Sequence, residues 1–206
     1  SRVERRGGSS PSLGTVMRPT GRRVFHKHLV DGFESHHHDE MKLTVKQLKR
    51  IINESTGASN LERAIELATK LHTGQTDKAG KAYIDHPLRV MGTVKSLGYD
   101  EDVQTAAVLH DTVEDTDLTL DDVRREFGDR VASTVQLLSK LDGESYEAFI
   151  DRIIASRNVD AMRVKLADLT DNMDVTRLGR EPDEWDLKRM NRYEKAFKKL
   201  TDASGG

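Results

Sequence analysis

From Thr44 onward, apolar side chains recur three and four residues apart, the period of helices with one buried face. Val45, Leu48, Ile51 and Ile52 predict a first helix behind a Thr44 cap, stopping before Gly57. Ser59 and Glu62 have the spacing of a capping box, and Leu61, Ile65, Ala68 and Leu71 mark the helix behind it. The stretch Gly74–Gly80 then breaks the pattern as a loop. Pro87 suits the first turn of a third helix, with Val90, Met91, Val94 and Leu97 buried and Gly98 as its stop. A fourth helix starts near Glu101 and runs into His110.

Thr119 predicts the cap of a short helix through Phe127, and Asp129 the cap of another through Ser139. Tyr146, Phe149, Ile150, Ile153 and Ile154 share one face of the next helix. Met162, Val164, Leu166, Leu169 and Met173 mark another, with Asp168 and Asn172 at i and i+4 on its other side. Pro182 opens a last helix carrying Trp185, Met190, Phe197 and Leu200. No segment alternates as a strand does, and no internal repeat is visible. The expected architecture is an all-α bundle of roughly eight helices over residues 41–203.

Residues Ser1–Glu40 differ from the rest. Glycine, serine, proline and scattered arginines leave no apolar period, and such a segment cannot offset its ordering entropy. It is expected to be a flexible or tag-like tail, with Met41 a candidate original start. Five of the eight histidines lie in it, and the run His36-His37-His38 is either a metal-catching tract or part of a leader.

Composition narrows the function. The 206 residues are 35% hydrophobic and 33% charged, with 33 basic and 35 acidic side chains and a net charge of −2. No general field favours nucleic acid or anionic lipid, so a small anionic substrate has to be held by local groups. The absence of cysteine excludes thiolate metal sites and disulfides and fits a reducing compartment. No apolar run approaches the roughly 18 residues of a membrane span. A soluble cytoplasmic protein is expected, with its oligomeric state left open.

The densest chemistry is Ala106–Thr116, AAVLHDTVEDT. An aliphatic run delivers His110 and Asp111 side by side, and Glu114 and Asp115 follow within one turn or so. Outside the tail the remaining histidines are His72 and His86. His86 sits just before the proline of the third helix, so a helix pair can bring it to His110. Two imidazoles and a carboxylate form a mixed N/O set suited to Mn²⁺, Fe²⁺ or Zn²⁺. Asp168, set among Val164, Leu166 and Ala167, is a further carboxylate candidate; if buried it needs a partner, and otherwise it faces solvent. His72 is expected to be a helix-end residue rather than a ligand.

The order His86, His110-Asp111, Asp168 resembles the HD superfamily of metal-dependent phosphohydrolases. Its surroundings narrow the likeness. His72-Thr-Gly74-Gln75, Lys78-Ala-Gly80 and Tyr83-Ile84-Asp85-His86-Pro87-Leu88 are similar to the first motif of the alarmone-hydrolase domain of Rel/SpoT proteins. His110-Asp111-Thr-Val-Glu114-Asp115-Thr116 is similar to the second, and Lys165-Leu-Ala-Asp168 with Asn172-Met173 to the third. The match runs from about Asn60 to Arg177 and extends toward Trp185–Tyr193. At this length there is no room for that family's synthetase domain, so the chain most resembles a stand-alone small alarmone hydrolase.

The resemblance implies one Mn²⁺ on His86, His110, Asp111 and Asp168. It implies a substrate that is a purine nucleotide 3′-pyrophosphate, cleaved to nucleotide and pyrophosphate. Glu114 and Asp115 take the role of positioning or deprotonating the attacking water. Lys78 and Asn172 match nucleotide-contacting positions. Arg189 and Tyr193 match a basic–aromatic pair that faces substrate phosphates in some members, although ordinary helix packing explains the pair equally well. Two positions depart from the pattern. Asp77 stands where the bifunctional proteins carry an arginine packed on the purine, and Ala82 replaces a proline. Asp77 either faces the nucleotide or turns to Lys78, Lys81 or solvent, and relaxed choice between guanine and adenine is expected. The rival readings are an HD phosphohydrolase acting on a 5′-nucleotide or dNTP, and a nucleotide-sensing protein with an idle site.

Overall fold

The structure, a computed structural model, describes residues 57–77 and 79–205. The expected tail, the helix behind Thr44 and Lys78 lie outside the described residues. In chain order the helices are α1 (Asn60–Leu71), α2 (Asp85–Ser96), α3 (Glu101–Leu109) and the single turn α4 (Thr112–Asp115). There follow α5 (Leu120–Phe127), α6 (Asp129–Leu138), α7 (Tyr146–Ser156), α8 (Val159–Asn172), a 3₁₀ turn (Val175–Leu178) and α9 (Glu184–Ala203). Among the described residues the all-α expectation is met, with α4 and the 3₁₀ turn the helical turns the periodicity did not announce. The loop Gly74–Gly80 closes on itself through an isolated antiparallel bridge between Thr76 and Ala82.

Side-chain oxygens start most of these helices by accepting the otherwise unpaired N–H groups of a first turn. Ser59 forms the expected capping box with Glu62, Thr119 forms one with Asp122, and Asp183 one with Asp186. Two starts differ from expectation. The residue capping α6 is Gly128 rather than Asp129, because α5 ends and α6 begins on that glycine. The last helix starts at Glu184 behind an Asp183 cap, two residues beyond Pro182, since the cap supplies a side-chain acceptor that proline lacks. Pro87 does fall in the first turn of α2, where its missing N–H has no helical partner to lose.

Packing centres on α3. Helices α1, α2, α6 and α8 all pack against it, so Val103, Thr105, Ala106, Ala107, Val108 and Leu109 are all buried. This is why α3 shows no clean apolar stripe: a helix enclosed on every side has little polar face to keep. The consequence is positional. The residue that follows its last turn, His110, emerges in the interior at 3% exposure instead of at the surface.

Candidate metal centre

Four elements bring the site together. His86 is the second residue of α2, His110 caps the C-terminus of α3, Asp111 precedes α4, and Asp168 lies in α8. The Nε2 of His110 is 3.1 Å from Oδ2 of Asp111 and 3.7 Å from Oδ1 of Asp168. The Nε2 of His86 is 3.1 Å from the same Asp168 oxygen and 3.8 Å from the same Asp111 oxygen. Ligand atoms of His86, His110 and Asp111 lie within 4.8 Å of one another. All four residues named from the sequence as ligands therefore converge.

The hydrogen bonds around them fix which atoms face inward. A carbonyl can only accept, so the 2.8 Å contact between His110 Nδ1 and the Ala107 carbonyl makes Nδ1 the protonated nitrogen. His110 Nε2 is then left buried with no hydrogen-bond partner among the described residues. His86 Nδ1 likewise donates to Oδ2 of Asp171 at 2.6 Å, aiming its other nitrogen at the cluster. The Tyr83 hydroxyl donates to Asp111 Oδ2. Asp168 accepts from Lys165 Nζ at 2.7 Å on Oδ2 and from Asn172 Nδ2 at 2.6 Å on Oδ1. An orphaned imidazole nitrogen, a second imidazole oriented by a carboxylate and two hydrogen-bonded carboxylates are the donor set and the supporting shell a divalent ion needs.

Electrostatics agree. Burial raises the Asp168 pKa, but Lys165 and then the two histidines outweigh it and hold the carboxylate well below its usual range. The same holds for Asp111, where His110 and His86 outweigh burial. Burial pushes both imidazoles down, and the surrounding carboxylates more than reverse it. The cluster as a whole attracts positive charge.

The other site residues have partners of their own. Glu114 accepts the backbone N–H of Lys140 at 3.1 Å, which ties α4 to the loop after α6. Partial desolvation, then the charges of Asp111 and Glu114, push Asp115 up to about 6. Asn172 sits on Asp168. Arg189 pairs with Asp186 at 3.3 Å and lies 5.3 Å from the Trp185 ring. Tyr193 packs on Tyr146, ring centroids 5.8 Å apart, and Tyr146 in turn lies 5.9 Å from Lys165 Nζ. Asp77 turns into its own loop, its Oδ1 accepting the N–H groups of Ala79 and Lys81 at 2.9 Å each. His72 caps the C-terminus of α1, as expected, and its ring lies tilted against Tyr83, centroids 4.9 Å apart.

Three residues of the shell received no role from the sequence: Tyr83 and Lys165, which stand there only as members of the quoted motifs, and Asp171, which was not named. Asp171 is the hub of a charge network, 2.7 Å from Arg89 Nε and 3.1 Å from an Arg177 nitrogen as well as bonded to His86. Burial raises its pKa, but His86 and Arg89 outweigh that and hold it at about 2. The available signal was a second carboxylate three residues beyond Asp168 on the same helix.

Comparison with known proteins agrees with this geometry. A GTP pyrophosphokinase of Streptomyces coelicolor is 40% identical over 71% of this chain, which spans 17% of that protein. A guanosine-3′,5′-bis(diphosphate) 3′-pyrophosphohydrolase of Aquifex aeolicus is 35% identical over 60% of the chain and 19% of its own length. The chain thus spans about a fifth of these relatives. A solved structure described as a metazoan ortholog of SpoT that hydrolyzes ppGpp shares 28% identity. It has a TM-score of 0.60 and covers 72% of this chain and 87% of its own. The HD domain matches residues 64–190, the span that contains all four converging residues. By that match the chain belongs to the HD domain family.

Proposed function

We propose that this chain is a Mn²⁺-dependent hydrolase that removes the 3′-pyrophosphate of purine nucleotides such as ppGpp and pppGpp, and of adenine analogues such as ppApp. The observation that carries the reading is the orphaned Nε2 of His110, buried among three further metal-type ligands that hydrogen bonds aim at it. Relatives named as 3′-pyrophosphohydrolases support the substrate class.

His86, His110, Asp111 and Asp168 are the residues that would hold the ion. When bound, it supplies Lewis-acid polarisation of a phosphoryl oxygen and a lower pKa for water. The chain's own groups do the rest. Asp115, with a pKa of about 6, is largely anionic at neutral pH and can accept a proton from the attacking water. Glu114, anchored by the Lys140 N–H, orients that water. Lys78, Asn172, Arg189 and Tyr193 are the proposed substrate contacts, Asn172 doing so while it steadies Asp168.

The products decide between this reading and a 5′-acting phosphohydrolase. Phosphorus NMR of a ppGpp reaction is expected to show pyrophosphate and a nucleotide that keeps its 5′-diphosphate. Release of inorganic phosphate, or cleavage at the 5′ end, would contradict it. Asp115→Asn, which removes the proton acceptor, is expected to keep the metal and lose rate on the order of 10²-fold.

A further inference from the structure

Lys165 and Asp168 stand one helical turn apart on α8, with side chains only 11% and 6% exposed. Lys165 Nζ donates to Asp168 Oδ2 at 2.7 Å. The same nitrogen lies 4.9 Å from the Phe149 ring and 5.9 Å from the Tyr146 ring, so two aromatic side chains of α7 confine it. The other oxygen has different neighbours: Oδ1 accepts from Asn172 Nδ2 at 2.6 Å and is 3.1 Å from His86 Nε2 and 3.7 Å from His110 Nε2.

We propose that Lys165 is a positioning residue that restricts Asp168 to one ligating oxygen, Oδ1, and thereby keeps a coordination position open for reactants. The proposal rests on the metal site advanced above. Chelation through both oxygens requires Oδ2 to swing toward the histidines. That movement stretches a charge-assisted bond and strips a buried ammonium of its partner, which is costly. The rings of Phe149 and Tyr146 limit how far the ammonium can follow. A manganese ion takes about six ligands, so one atom from each of four residues leaves about two positions, and a chelating Asp168 leaves about one. Two are what a phosphoryl oxygen and an attacking water require together.

The test is the number of exchangeable positions on protein-bound Mn²⁺, read from broadening of its EPR signal in isotopically labelled water. The full chain is used, with His110→Ala as the blank for ions held elsewhere. The wild type is expected to show about two positions and Lys165→Arg, which keeps a charged donor, also about two. Lys165→Met is expected to show about one, to bind Mn²⁺ at least as tightly, and to lose kcat on the order of 30-fold at little-changed KM. A wild type with a single exchangeable position overturns the proposal even if Lys165→Met fails to fold. So does a Lys165→Met variant with two positions and wild-type turnover. A wild type that binds no more Mn²⁺ than the blank overturns the metal site itself, a separate failure.

Discussion

At the scale of single residues, the site depends on where each ligand's second polar atom goes. His110 commits Nδ1 to the Ala107 carbonyl within its own helix end, whereas His86 commits Nδ1 to Asp171, 85 residues away. The candidate ligands were legible in the sequence because His110, Asp111 and Asp168 stand in or beside apolar runs, and the resemblance to HD motifs joined His86 to them. Asp171 was not, because its role exists only once α2 and α8 pack together. Asp171→Asn removes the charge that orients His86 and leaves Arg89 and Arg177 facing a neutral group. Mn²⁺ affinity is expected to fall roughly 10–100-fold, the usual effect of losing such a supporting group, with the fold retained; titration calorimetry measures it. An unchanged affinity would remove Asp171 from the support of the site.

Asp77 is the residue where expectation left two outcomes, and the structure favours the inward one: its Oδ1 is spent on the backbone of Ala79 and Lys81. As a carboxylate it offers the proposed purine substrate neither a stacking guanidinium nor a positive charge. Adenine and guanine 3′-pyrophosphate nucleotides are expected to have kcat/KM values within roughly tenfold of each other, about 1.4 kcal/mol. A preference for guanine of about a hundredfold or more would contradict this.

At the scale of elements, two glycines have opposite parts. Gly128 joins α5 to α6 at φ 89°, ψ 170°, a region essentially confined to glycine, yet a Cβ there meets nothing within 4 Å. Gly128→Ala is therefore expected to cost about 1–3 kcal/mol through backbone strain alone. Gly92 lies inside α2 with equally open space and no positive φ. Gly92→Ala is expected to stabilise by about 0.5–1 kcal/mol, because alanine loses less backbone entropy on folding. Denaturant titrations of both variants check the pair, and equal signs would contradict it. The capped helix starts at Ser59 and Thr119 were legible because their signals are local. The single turn α4 was not, because four residues carry too little pattern; it forms where Asp111 must leave α3 and Glu114 meets Lys140.

At the scale of the whole molecule, the near-neutral charge of −2 leaves the recognition of the proposed polyanionic substrate to local groups. At the candidate metal centre a dense set of carboxylates draws in positive charge, and among the described residues the basic side chains paired with its carboxylates, Lys165, Arg89 and Arg177, are committed to Asp168 and Asp171. In the proposed reaction a divalent ion is therefore the group best able to offset substrate charge at the point of cleavage. The relation to much longer relatives concerns this helical unit alone, of which α3 is the packing centre and His110 the C-terminal cap.

The most direct test of the account is pyrophosphate release from ppGpp as Mn²⁺ is titrated into metal-stripped protein, run in parallel for the wild type and Asp168→Ala. The account predicts no release without metal, a saturable rise in the wild type as about one ion binds per chain, and no rise in the variant. Release by the stripped wild type, or an Asp168→Ala variant that saturates with Mn²⁺ at the wild-type rate, would contradict it.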